Sequence, residues 1–215
     1  LNDSMERVYK VYTGNKELDE ILNNKDRFYL IYGDPGTGKT NLVSKIARES
    51  VLRGSSVAYV CTEGSVNVTN LLSDPEVIDR DIKFAFPATL TELLKAVITL
   101  LVENPPDVII IDTINYLYRI EGGYSYRSNE IFISIISILH YISRTLGRYV
   151  LATAQVRETE EGLEPSGIVF LDFYRPYMIR SVKRDINLFE IILEKDNQKF
   201  LFSIGEKDLV WRNAL

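Results

Sequence analysis

One cysteine and one histidine occur among the 215 residues, so no internal disulfide can form, and His140 has no obvious metal-ligating partner. Cys61 closes the apolar run Val57-Ala-Tyr-Val-Cys61 and reads as a strand residue, and a reducing cytoplasm is the expected setting. No apolar run approaches the ~18 residues of a membrane span. The start, Leu1-Asn-Asp-Ser-Met-Glu-Arg7, lacks the charged-then-apolar layout of a signal peptide. Basic side chains are outnumbered, 25 against 30 acidic, for a formal charge of −5, so any nucleic-acid contact must come from a local patch. Repeats, low-complexity tracts and Pro/Gly/Ser-rich linkers are also missing. With 46% hydrophobic residues to fill a core, residues 1–215 are expected to form one domain, 1–11 being a short lead-in.

What is present is an alternation. Phe28 to Tyr32, Val57 to Cys61, Val108 to Ile111 and Tyr149 to Thr153 are β-branched or apolar runs that read as buried strands. Helical spacing separates them: Leu42, Val43, Ile46, Ala47 and Val51 before Gly54; a segment opened by the capping box Thr89-Leu-Thr-Glu92 and running to about Val102; and about Asn129 to Leu146. The pattern predicts an α/β fold, a mostly parallel sheet flanked by crossover helices. From Met178 onward, short strands (Met178 to Val182, Leu188 to Leu193, Lys199 to Ile204, Leu209 to Trp211) alternate with polar turns and predict an antiparallel extension of the same sheet. Arg119 to Ser128 and Arg157 to Pro176 show neither period and read as functional loops. Trp211 reads as packing of the last strand.

Gly33-Asp34-Pro35-Gly36-Thr37-Gly38-Lys39-Thr40 matches G-x-x-x-x-G-K-[ST] between a strand and a helix, the context that the motif requires. The glycines let backbone N–H groups wrap phosphates at a helix N-terminus. Lys39 then reaches the outer phosphates, Thr40 meets Mg²⁺, and Asn41 follows at the entry to the helix. A glycine turn that only reverses the chain would need neither the lysine nor the hydroxyl. ATP and Mg²⁺ are therefore the expected ligands. Asp112 ends a hydrophobic strand and supplies a second metal ligand, and Glu63, just past the strand ending at Cys61, is the candidate general base at the same sheet edge.

In order and spacing, the P-loop, the segment Val57-Ala-Tyr-Val-Cys-Thr-Glu-Gly64 and the Asp112 strand resemble the RecA/RadA recombinase ATPase group. Tyr12-Thr-Gly-Asn-Lys-Glu-Leu-Asp-Glu-Ile-Leu22 is similar to the T-G-x-x-x-L-D-x-L-L lead-in of RadA-type and KaiC-type ATPases, and Leu151-Ala-Thr-Ala-Gln155-Val156 to the strand whose glutamine senses the γ-phosphate. Covering about Tyr12 to Trp211, the resemblance implies a RecA-like P-loop core, Glu63 as the water-activating glutamate, Asp112 as the Walker B aspartate and Gln155 as the switch toward a DNA-facing loop. No helix-hairpin-helix segment and no F-x-x-A hook stand ahead of the core, and no arginines follow Glu63 beside the adenine position. Such a layout most resembles the archaeal recombinase paralogs of RadB-like type.

That resemblance implies a slow Mg²⁺-dependent ATPase, accessory to homologous recombination and DNA repair. It would act with a RadA-type recombinase or another paralog subunit, be a monomer or weak dimer alone, and bind single-stranded DNA weakly. Arg119, Tyr124, Tyr126 and Arg127 fall in the first DNA-facing loop, where they suit either phosphate contact with base stacking or a protein interface. The second loop sets Arg157 and Arg175 against five acidic residues, which opposes phosphate binding. Ile192-Leu-Glu-Lys195-Asp196 resembles the late strand that offers a lysine to a neighbour's nucleotide, although Lys195 equally suits an ordinary polar turn. The other reading is a KaiC-like regulatory ATPase acting through protein contacts without DNA. KaiC-type sequences carry paired glutamates after the second strand, whereas Glu63 here is followed by Gly64, which favours the recombinase side.

Overall fold

A computed structural model describes residues 10–64, 66–122, 125–159, 162–205 and 208–212. In chain order the elements are α1 (Lys16–Asn24), β1 (Phe28–Gly33), α2 (Lys39–Leu52), β2 (Val57–Cys61), α3 (Val66–Leu72), β3 (Ile82–Ala85), α4 (Leu90–Val102), β4 (Val108–Asp112), α5 (Tyr116–Ile120), α6 (Tyr126–Arg144), β5 (Tyr149–Thr159), β6 (Gly162–Pro165), α7 (Ile168–Phe173), β7 (Tyr177–Asp185), β8 (Leu188–Leu193), β9 (Gln198–Ile204) and β10 (Leu209–Arg212).

The strands form one sheet in the order β10-β9-β8-β7-β1-β5-β4-β2-β3, with β6 paired to β5 off this path. From β7 to β3 neighbouring strands are parallel, and β7 to β10 are antiparallel, as the change in sequence pattern predicts. Successive residues of the central strands alternate between two cores. Tyr29, Ile31, Tyr59 and Ile110 meet α1 and α2, whereas Leu30, Val60, Ile109 and Ile111 meet α4 and α6. Burial on both faces explains why these strands read as unbroken apolar runs.

Local signals fix the helix starts. Thr89 caps α4 by accepting from the Glu92 amide at 3.1 Å, and the Glu92 carboxylate reaches back to the Ala88 amide at 2.8 Å. Ser125 accepts from the Ser128 amide at 3.0 Å, so α6 begins at Tyr126, ahead of the expected Asn129, and places Tyr126 and Arg127 in its first turn. The stretch 157–176, read as irregular, contains most of a hairpin and a short helix. β5 overshoots the sheet and β6 folds back on it, with Val156 opposite Pro165 and Arg157 opposite Glu164, before α7. The edge strand β3 escaped notice because it is short and only half-buried. Trp211 donates to the Thr13 carbonyl at 2.9 Å and stands edge-on to Phe202, tying the last strand to the lead-in. His140 packs against the Tyr174 ring at 5.0 Å between centroids.

Candidate active site

The loop between β1 and α2 lies at the C-terminal edge of the parallel strands, where open α/β sheets hold ligands. Its glycines answer to geometry. A Cβ on Gly33 would stand 2.1 Å from the Ser181 carbonyl of β7, and one on Gly38 would stand 2.9 Å from the Phe202 ring while the backbone is left-handed at φ +88°. Gly38 caps α2 with no side-chain bond to its first amides, which leaves the helix N-terminus open to an anion. Asp34, Pro35 and Gly36 form the exposed tip, and the Thr37 hydroxyl braces it by donating to the Asp34 carbonyl at 2.8 Å. Ser181 in turn donates to the Thr37 carbonyl at 2.7 Å. Lys39 is buried, with Nζ 2.8 Å from the carbonyls of both Gly33 and Asp34, at the mouth of this cradle. Burial pushes its pKa down, opposed by the charges of Asp112, Glu63 and Asp34. Asn41, one residue past Thr40, lines a cleft of ≈ 190 Å³ with Ser44, Asn70 and Ile204.

Opposite stands Asp112, 3% exposed at the tip of β4. Its Oδ2 accepts from the Tyr59 hydroxyl at 2.9 Å, its Oδ1 from Thr153, and Thr40 Oγ1 lies 3.4 Å from the same Oδ1. Burial, and next the Asp112 charge, hold the Tyr59 hydroxyl well above its ordinary pKa, so it remains a donor. Thr62 and Thr113 lock the tips of β2 and β4 together: the Thr113 amide donates to Thr62 Oγ1 at 2.9 Å, and that hydroxyl donates to the Thr113 carbonyl at 2.8 Å. The Asp112–Thr113 peptide bond is cis. Beyond this lock, Glu63 Oε1 accepts from Thr113 Oγ1 at 2.7 Å and from Gln155 Nε2 at 2.6 Å. Sequence positions 39, 40, 63, 112 and 155 thus converge on one sheet edge.

The residue-25-to-176 segment matches the family model of an AAA domain. A DNA repair and recombination protein RadB from Methanococcus maripaludis strain C7 is 30% identical over 189 residues, covering 83% of this chain and 87% of its own length. The chain belongs to the RadB family. A RadB from Methanosphaera stadtmanae is 26% identical over 91% of this chain and 94% of its own length. A crystal structure of the RadB recombinase superposes with a TM-score of 0.70 at 22% identity, covering 92% of this chain and 97% of that one, a likeness of fold. This RadB-family chain therefore carries a RecA-like ATPase domain, and its similarity falls on the recombinase-paralog side of the two readings left open by the sequence.

Other expected residues are placed elsewhere. Lys195 is not brought to the phosphate loop. β8 runs antiparallel to β7, so the turn after Leu193 lies at the opposite sheet edge, where the adjacent Asp196 pairs with Lys25 at 3.2 Å. Beyond Ser181, which rests on Gly33 and Thr37, β7 carries exposed Lys183 and Arg184, the latter paired with Glu190. Arg119 ends α5 exposed, with its guanidinium donating to Gln155 Oε1. Tyr126, 80% exposed, and Arg127 stand together at the start of α6, and Tyr124 lies outside the described residues. Tyr118, Arg119, Asn129, Arg157 and Phe170 line a hollow of ≈ 530 Å³ beside them. Sequence reasoning missed Tyr59, Thr62, Thr113 and Thr153. Only the register of β2, β4 and β5 brings them to Asp112 and Glu63, although a hydroxyl directly after the Asp112 strand was a legible hint.

Proposed function

We propose that this chain is an Mg²⁺-dependent ATPase, a RadA paralog of the cytoplasm accessory to homologous recombination and DNA repair. The supporting observation is the convergence of Lys39, Thr40, Glu63, Asp112 and Gln155 at the open N-terminus of α2. The residues Gly33 to Asn41 would cradle the triphosphate of ATP, with Lys39 exchanging two loop carbonyls for phosphate oxygens. A hydroxyl and a carboxylate 3.4 Å apart are hard oxygen donors of the kind that Mg²⁺ takes while keeping most of its waters. Bound there, Mg²⁺ would neutralise charge on the phosphates. Among the described residues both donors to Glu63 engage Oε1, so Oε2 would take the proton of the attacking water. Gln155, bonded to that carboxylate, is suited to sensing the γ-phosphate.

Turnover should be slow in the isolated chain, a monomer or weak dimer, because charge on the transferred phosphoryl group calls for a further cation. Lys195 could serve only across a subunit boundary, at the nucleotide of a RadA-type recombinase or another paralog subunit. Weak single-stranded DNA binding through Arg119, Tyr126 and Arg127 is supported by their exposure beside the hollow, and it is tested by affinity at two salt concentrations. For the ATPase itself, Lys39→Ala should abolish most nucleotide binding, whereas Glu63→Gln should keep binding and lose hydrolysis. Equal loss of ATP affinity in the two variants would refute this division of labour.

A further inference from the structure

Sequence reading gives Arg119 either to a nucleic-acid phosphate or to a protein interface, yet its guanidinium is engaged with the site itself. We infer that Arg119 is a positioning residue for hydrolysis, acting through Gln155 on Glu63. The inference rests on the ATPase reading above.

Its basis is a chain of hydrogen bonds with a fixed polarity. Arg119 donates to Gln155 Oε1, and Gln155 Nε2 donates to Glu63 Oε1 at 2.6 Å. With its oxygen held by a cation, the Gln155 amide has its NH₂ end turned toward the carboxylate, and two bonds in sequence polarise each other. Thr113 holds Glu63 at 2.7 Å as well, so Oε1 is held twice, and Oε2 would be the oxygen presented to water.

The backbone segments beneath this relay are tied together by hydrogen bonds. Asn115, fully buried at the start of α5, accepts from the Gln155 amide at 3.0 Å and donates to the Gln155 carbonyl at 2.8 Å. Ile114 donates to the Thr153 carbonyl at 2.9 Å, and Arg119 stands one helical turn on, its amide 3.1 Å from the Asn115 carbonyl. Arg119 and Gln155 are therefore held at a set separation by a shared anchor. Their side-chain bond is open to solvent and adds little to stability. Its effect belongs on the catalytic step, where small errors of orientation are costly.

The test is steady-state ATP turnover with Mg²⁺ by the full chain, with kcat and KM separated, for wild type, Arg119→Ala, Arg119→Lys, Gln155→Ala and the double alanine variant. Arg119→Ala should lower kcat about tenfold with KM within about twofold, the signature of lost orientation, with binding retained. Lysine, which keeps a donor and the charge, should restore kcat to within about threefold of wild type. In the Gln155→Ala background, removing Arg119 should change nothing further. Absence of turnover in wild type would sink the ATPase reading. Wild-type turnover with an unchanged kcat in Arg119→Ala, or the same loss with Gln155 already removed, overturns the relay and leaves the ATPase reading standing. A lowered thermal midpoint in Arg119→Ala with no rescue by lysine assigns the residue to structure and also overturns it.

Discussion

Tyr59→Phe removes a single oxygen from the centre of the molecule. Tyr59 has no exposed surface, and its ring packs beside Phe84 with centroids 6.1 Å apart, so phenylalanine keeps the volume and the apolar contacts. Lost are the 2.9 Å bond to Asp112 Oδ2 and a weaker 3.4 Å contact with Ser44 Oγ. Asp112 is nearly inaccessible, so water cannot fully replace the donor. A hydrogen bond to a charged group contributes about 1.5–3 kcal/mol, and the expected loss of stability is about 2 kcal/mol. For a chain of this length each kcal/mol moves Tm by roughly 2–4 °C, which gives a fall of about 4–8 °C. Urea unfolding at neutral pH reads the free energy, and a scan reads the midpoint. Asp112→Asn supplies the control, because an amide needs the donor far less than a carboxylate does. A loss below about 0.5 kcal/mol, or an equal loss in the Asp112→Asn background, would show that the charge on Asp112 is not what the hydroxyl serves.

Asn115→Ala should be more damaging. It strips partners from the Gln155 amide and the Ser166 carbonyl at once, while the Gln155 carbonyl keeps the Ser166 amide, a cost of about 2–6 kcal/mol at 1–3 kcal/mol per stranded group; a denaturation midpoint near wild type would contradict it. Acid stability should depend on Asp107. Burial alone would raise its pKa, but the Ser56 amide and Lys10 bring it below the ordinary carboxylate value. A depressed folded pKa means that the stabilisation is present above the unfolded value, about 3.9, and is lost as pH falls through the folded one. Asp107→Asn should therefore cost about 1–2 kcal/mol at pH 7 and flatten the loss of stability below about pH 4, measured as urea midpoint against pH. Parallel curves for variant and wild type would refute this.

The sequence by itself determined the parallel core, the antiparallel extension and the phosphate loop, because each has a local cause. Strands buried on both faces must be continuously apolar, α4 starts where Thr89 can cap it, and Gly33 and Gly38 stand where a Cβ would strike Ser181 or Phe202. Lys39 and Thr40 were legible from the phosphate-loop motif, Asp112 and Glu63 from their places at the C-terminal tips of β4 and β2, and Gln155 through the family resemblance. What surrounds them was decided only by tertiary structure. Tyr59, Thr113 and Thr153 reach Asp112 and Glu63 through the pairing of β2, β4 and β5, which no run of residues along the chain encodes. The antiparallel turn that carries Lys195 to the far edge, and the anchoring of α5 on β5 that brings Arg119 to Gln155, are likewise matters of strand direction and long-range packing, where residues far apart in sequence meet.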